Sequence, residues 1–134
     1  MFWRYLLATC QGIVILAFSS RVLGAQLLVG AATTDITPEK PVPLCGQFHL
    51  RISTRVETPL TANVVAIESR DGDQSADQVV IVSCDVVDIP TEVLELVRAK
   101  VASRLPDLDR SKIFLAGTHT HTAPEFMPGQ WILP

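Results

Sequence analysis

The sequence predicts an α/β fold, a mixed sheet that carries a βαβ unit. Three observations predict it. Short apolar runs rich in valine and isoleucine recur along the chain, and only one segment has helical spacing. That helical segment lies between two of the β runs, giving the order strand, helix, strand. A polar turn, Asp71-Gly72-Asp73, separates the first of those two runs from the run before it and joins them as a hairpin.

The elements follow in order. Residues 26–33 form a first strand, with Leu27, Leu28 and Val29 followed by Gly30-Ala31-Ala32. Asp35-Ile36-Thr37-Pro38 ends it, because proline lacks an N–H and restricts the residue before it. Residues 38–59 carry Pro38, Pro41, Pro43, Gly46 and Pro59 and read as a long irregular loop. Leu44-Cys45-Gly46-Gln47-Phe48-His49-Leu50 inside it is not low in complexity, which favours an ordered surface loop. Residues 61–69 and 79–83 are the hairpin strands, centred on Val64-Val65-Ala66-Ile67 and Val79-Val80-Ile81-Val82. Residues 91–105 repeat Val93, Leu94, Val97, Val101 and Leu105 at spacings of three and four, the stripe of an amphipathic helix. Pro90 suits its entry and Pro106 its end. Residues 113–116 are a short final strand. The segment 79–116 is then a right-handed crossover between parallel strands.

Residues 1–25 read as a signal peptide: Arg4 supplies the positive start, residues 6–18 the apolar stretch, and Ser19, Ser20, Gly24 and Ala25 the small residues before cleavage. The apolar stretch is shorter than the roughly 20 residues of a membrane span. An uncleaved anchor is the competing reading, since Arg21 and Leu23 are unusual near a cleavage point. Export makes the mature chain, residues 26–134, secreted or periplasmic. The leader takes Arg4 and Arg21 and no acid, leaving nine basic side chains against fourteen acidic ones. That balance gives no electrostatic footprint for nucleic acid and no polybasic patch for anionic lipid. Cys45 and Cys84 remain in the mature chain, and the reading favours two separate thiols over a disulfide.

Two of the three histidines fall in Thr118-His119-Thr120-His121, directly after the final apolar run. Neutral imidazole is a common ligand of catalytic zinc. In an extended segment, residues i and i+2 share a side, so His119 and His121 would face one hollow. Ligands gather at the carboxyl ends of strands in such sheets. The residues alone leave two readings open, a divalent-metal site or hydrogen-bonded histidines in a polar loop. If the strands are parallel neighbours, Asp85 lies at the same edge, as a ligand, as the group orienting a ligating histidine, or as a turn aspartate. Thr118, Thr120 and Thr122 read as turn formers. His49 lies in the long loop with Arg51, and Arg55 follows; each reads as a pocket residue or a solvated one.

The segment Ile113-Phe114-Leu115-Ala116-Gly117-Thr118-His119-Thr120-His121-Thr122-Ala123-Pro124 resembles the T-H-T-H-[ST]-[GA]-P motif of the neutral/alkaline, non-lysosomal ceramidases. Gly30-Ala31-Ala32-Thr33-Thr34-Asp35-Ile36-Thr37-Pro38, Thr58-Pro59-Leu60-Thr61-Ala62-Asn63 and Val82-Ser83-Cys84-Asp85 resemble further blocks of that family, in the same order. The resemblance implies a zinc-dependent amidohydrolase that cleaves the N-acyl bond of ceramide. It implies that His119 is a zinc ligand and that His121 is the catalytic histidine contacting substrate or the reacting centre. A lipid amide is the implied substrate, and a membrane surface is reached through it. It further implies that residues 26–134 are the N-terminal portion of a larger ceramidase-like catalytic domain. Family members are several times longer, and their remaining zinc ligands and serine nucleophile lie downstream of the motif. The ligand set here is thus incomplete, and the fragment is expected to lack turnover alone. Gln47-Phe48-His49-Leu50 also replaces the family's glycine–tyrosine turn. A small exported binding or structural domain with a vestigial HxH motif is the alternative. A metallo-β-lactamase-like H-x-H-x-D-H site is a weaker third reading, because Ala123 and Pro124 stand where that motif needs aspartate and histidine.

Overall fold

The computed structural model describes residues 24–124. Nearly all of the leader predicted over residues 1–25, and the last ten residues of the predicted mature domain, lie outside the described residues. The element order is β1 (Gln26–Asp35), β2 (Thr61–Asp71), β3 (Gln74–Cys84), α1 (Thr91–Ala102), a 3₁₀ turn (Arg110–Lys112) and β4 (Ile113–Gly117). The predicted α/β class with a mixed sheet is the one observed. The sheet order is β1-β2-β3-β4, with β1/β2 and β2/β3 antiparallel and β3/β4 parallel. The Asp71-Gly72-Asp73 turn closes the β2–β3 hairpin, with a register shift at Ser69/Arg70, and Gly72 supplies the positive φ of 59°.

Several boundaries differ from the sequence reading, most of all the start of β3, at Gln74 rather than residue 79. β1 runs on to Asp35, whose Oδ1 accepts from the Thr37 backbone N–H at 2.7 Å and so turns the chain. α1 ends at Ala102 rather than Leu105. The next residues tighten into a turn, with the N–H groups of Arg104 and Leu105 both on the Val101 carbonyl, before Pro106 forbids continuation. Among the described residues no helix is long and apolar enough to cross a membrane.

α1 packs on one face of the sheet at β4 and against the 3₁₀ turn before it. Ile113 on that face is 1% exposed, and the Arg98 guanidinium on α1 donates to its carbonyl at 3.0 Å. Phe114, the next residue, points the other way and is 52% exposed. The register sets Ala31, Val65, Ile81 and Phe114 in one row across all four strands. Val65 and Ile81 in that row are also exposed, as are Leu27 and Val29 on the same face of β1. Buried side chains gather at the other end of the architecture. Val86 and Ala123 lie just past the carboxyl ends of β3 and β4, and Ala62 is paired with Cys84.

Candidate functional site at the carboxyl ends of β3 and β4

The parallel pairing aligns Cys84 with Gly117, so β3 and β4 end side by side. Backbone bonds continue past the strands. Thr118 N–H donates to the Cys84 carbonyl and His119 N–H to the Val86 carbonyl, both at 2.9 Å. Gly117 permits this approach: a Cβ there would stand 2.9 Å from the carbonyl oxygens of both Val86 and Val87. No larger residue leaves residues 86–87 in place.

Asp85 is a strut of this edge. Its Oδ2 accepts from the backbone N–H and the hydroxyl of Thr61, both at 2.8 Å, and its Oδ1 accepts from the Thr118 hydroxyl at 3.2 Å. One carboxylate thus ties the start of β2 to the ends of β3 and β4. The Thr61 backbone bond, then the Thr61 hydroxyl, hold its carboxyl below the ordinary aspartate value, with Thr118 adding to them against partial burial. The sequence reading offered Asp85 as a metal ligand, as an orienting partner for a histidine, or as a turn aspartate. Its oxygens are committed to threonines instead. Beside it, partial burial and the Asp85 charge push the Cys84 thiol upward, and no disulfide joins Cys84 to Cys45.

The orienting group for His119 is a backbone carbonyl. His119 Nδ1 lies 3.0 Å from the Val87 oxygen. A carbonyl can only accept, so this bond requires a proton on Nδ1, and in the neutral ring the lone pair is then on Nε2. The backbone route to this arrangement departs from the extended i, i+2 geometry expected from the sequence. β4 stops at Gly117, and His119 takes φ 63°, the left-handed region. The pair still converges. The rings of His119 and His121 meet edge to face, centroids 5.1 Å apart at 67°. The chain turns at this point, with Thr120 and Thr122 hydroxyls 2.9 Å apart, which is the turn role expected of them.

The long loop completes the setting. It folds on itself through a Pro43/Ile52 bridge and docks on the motif through a Leu44/Pro124 bridge. Cys45 N–H donates to the Ala123 carbonyl at 3.0 Å, and the Arg51 guanidinium donates to the His121 carbonyl at 2.5 Å. Arg51 therefore buttresses the motif backbone, a role that its sequence context did not disclose. Gly46, at φ 78°, lies against the His121 ring. Arg55 pairs with Glu57 in the same loop, and His49 is exposed. A cavity of about 610 Å³ opens beyond the motif, lined by Val42, Leu44, Arg51, Ile52 and Leu60 together with Thr122 and Pro124. A larger groove of about 800 Å³ is lined by Leu28, Ala66, Val80 and Leu105 among others, and neither motif histidine lines it or the smaller cavity.

Among the described residues no three His, Cys, Asp or Glu side chains meet where they could hold a metal ion. The pair provides at most two imidazole nitrogens, one of them already oriented by a carbonyl in the manner usual for metal-ligating histidines. Zinc sites take three or four protein ligands.

No protein-family model and no curated protein matches the chain. Among solved structures the chain is similar to the neutral ceramidase from Pseudomonas aeruginosa, with 25% sequence identity and a TM-score of 0.64. The match covers 74% of this chain and 16% of that chain, so this chain spans only a small part of the ceramidase's length. By this likeness the chain is ceramidase-like.

Proposed function

We propose that the strand-end site is part of a zinc-dependent amidohydrolase centre acting on the N-acyl amide bond of a lipid such as a ceramide. The single observation that carries this reading is the His119 Nδ1–Val87 carbonyl bond, which leaves Nε2 as an acceptor for a cation. His119 is one metal ligand in this reading, and the other ligands come from outside the described residues. A divalent ion held there would polarise the amide carbonyl toward attack. His121 stands edge-on to His119, where its ring exchanges a hydrogen bond with the amide or its leaving group. The aliphatic part of the neighbouring cavity's mixed lining, Val42, Leu44, Ile52, Val56 and Leu60, gives a hydrocarbon chain somewhere to lie. The likeness to neutral ceramidase supports the reaction class.

Calorimetric zinc titration of the full chain tests the reading. It predicts weak zinc binding that His119→Ala abolishes, with no fatty acid released from a fluorescent N-acyl sphingosine by this chain alone. Zinc binding that survives His119→Ala, or its complete absence, contradicts the assignment. The alternative, a non-catalytic exported domain with a vestigial motif, has in its favour the two-ligand limit among the described residues. Under that reading the chain binds no zinc, while the Nδ1–carbonyl bond persists as a structural contact.

A further inference from the structure

We infer that Gly46 is a positioning residue for His121: its bare Cα forms the wall that fixes the imidazole edge-on to His119. The role of the pair rests on the function proposed above, but the packing does not.

A Cβ at position 46 would stand 2.4 Å from Nδ1, 2.5 Å from Cγ and 2.8 Å from Cε1 of His121. All three lie well inside ordinary van der Waals contact. The three nearest atoms belong to the Nδ1 side of the ring, so the loop backbone covers that nitrogen's side. The loop has little freedom to retreat from an added methyl. Cys45, the adjacent residue, is bonded to Ala123, which is fully buried, and Leu44 bridges to Pro124. The motif backbone cannot retreat easily either, since Arg51 holds the His121 carbonyl and Leu44 N–H holds the Arg51 carbonyl at 2.8 Å. With both backbones pinned, the imidazole is the part free to move. A side chain at 46 therefore turns His121 about its χ angles and out of its contact with His119.

Glycine is needed here on a second count, because φ is 78°. Two substitutions separate the two demands. Asparagine tolerates positive φ much better than alanine does, yet both place a Cβ at the same point. Backbone strain alone predicts that Gly46→Asn is nearly silent and Gly46→Ala is not. The ring contact predicts that both displace His121 alike.

The experiment is histidine-selective NMR on the full chain without metal. Ring protons of His119 and His121 in the wild type should show a mutual nuclear Overhauser effect. In Gly46→Asn and Gly46→Ala that effect is lost and the His121 signals move, while those of His49 stay and circular dichroism reports a folded sheet. Retention of the effect in Gly46→Asn overturns the inference, because the clash would then be absorbed without moving the ring. Displacement of all three histidines together also overturns it, since that pattern reports a collapsing loop. The readout uses neither zinc nor substrate. A failure of the metal assignment appears instead as unchanged zinc titration in His119→Ala, so the two failures are distinguishable.

Discussion

The carboxyl ends of β3 and β4 and the sheet face opposite α1 are built to different standards. At the strand ends Asp85 ties three elements together, the 86–87 carbonyls receive His119, and the long loop is pinned to the motif. On the opposite face, apolar side chains from all four strands stand in a row that none of the described residues covers, and every residue of β1 is exposed. Parallel strand pairs such as β3/β4 normally have both faces covered. The difference teaches where this chain's own residues do their work. Its interior lies around the motif, and the hydrophobicity of the sheet is only half used on the α1 side.

Neighbouring residues in β4 offer the sharpest way to break that contrast. Ile113→Ala should cost about 3 kcal/mol, the usual loss for a fully buried aliphatic side chain. Phe114→Ala, one residue on and on the open face, should change stability by no more than about 0.5 kcal/mol. Urea unfolding of the two variants decides it, and equal losses would mean that the face is covered in solution.

Gly117→Ala comes next. Its methyl would press on the 86–87 carbonyls at 2.9 Å, so a loss of about 2 kcal/mol is expected, as for overpacking elsewhere. His119 should lose its bond to Val87 in the same variant, visible as a change in its ring nitrogen shifts.

Asp85→Asn tests the strut. Its loss should be about 1–2 kcal/mol after allowing for solvent screening. The pH dependence has a definite sign. The folded carboxyl titrates below 3.8, its ordinary value. Its contribution is therefore fully present above that value and is lost as pH falls through the lower folded one. Asp85→Asn should flatten the acid limb of the stability profile and leave neutral pH with a constant deficit. Removing Glu95, whose exposed carboxylate pairs with Arg98 at 2.8 Å, should cost less than about 0.5 kcal/mol.

The fold was legible where the signal is local. Valine-rich runs, one polar turn and a helical stripe gave the four strands, the hairpin and α1 to within a few residues. The end of α1 was missed because Leu105 continues the apolar spacing although Pro106 already prevents another helical turn. The site was legible as a pair of histidines with Asp85 at the same edge. Its supports come largely from positions far away in sequence: Val87, whose carbonyl rather than side chain does the work, Arg51, and Gly46, whose value, like that of Gly117, lies in lacking a Cβ. Gly117, immediately before the motif, was a signal available to be read. The left-handed turn at His119 was not, since the surrounding apolar strand argues for extended backbone.

The central claim is that a carbonyl fixes His119 with its Nε2 lone pair outward. Long-range proton–nitrogen correlation on histidine-labelled full chain reads the tautomer directly. The structure predicts that neutral His119 is protonated at Nδ1, with an unprotonated Nε2. A His119 protonated at Nε2, or one exchanging equally between both forms, would contradict it.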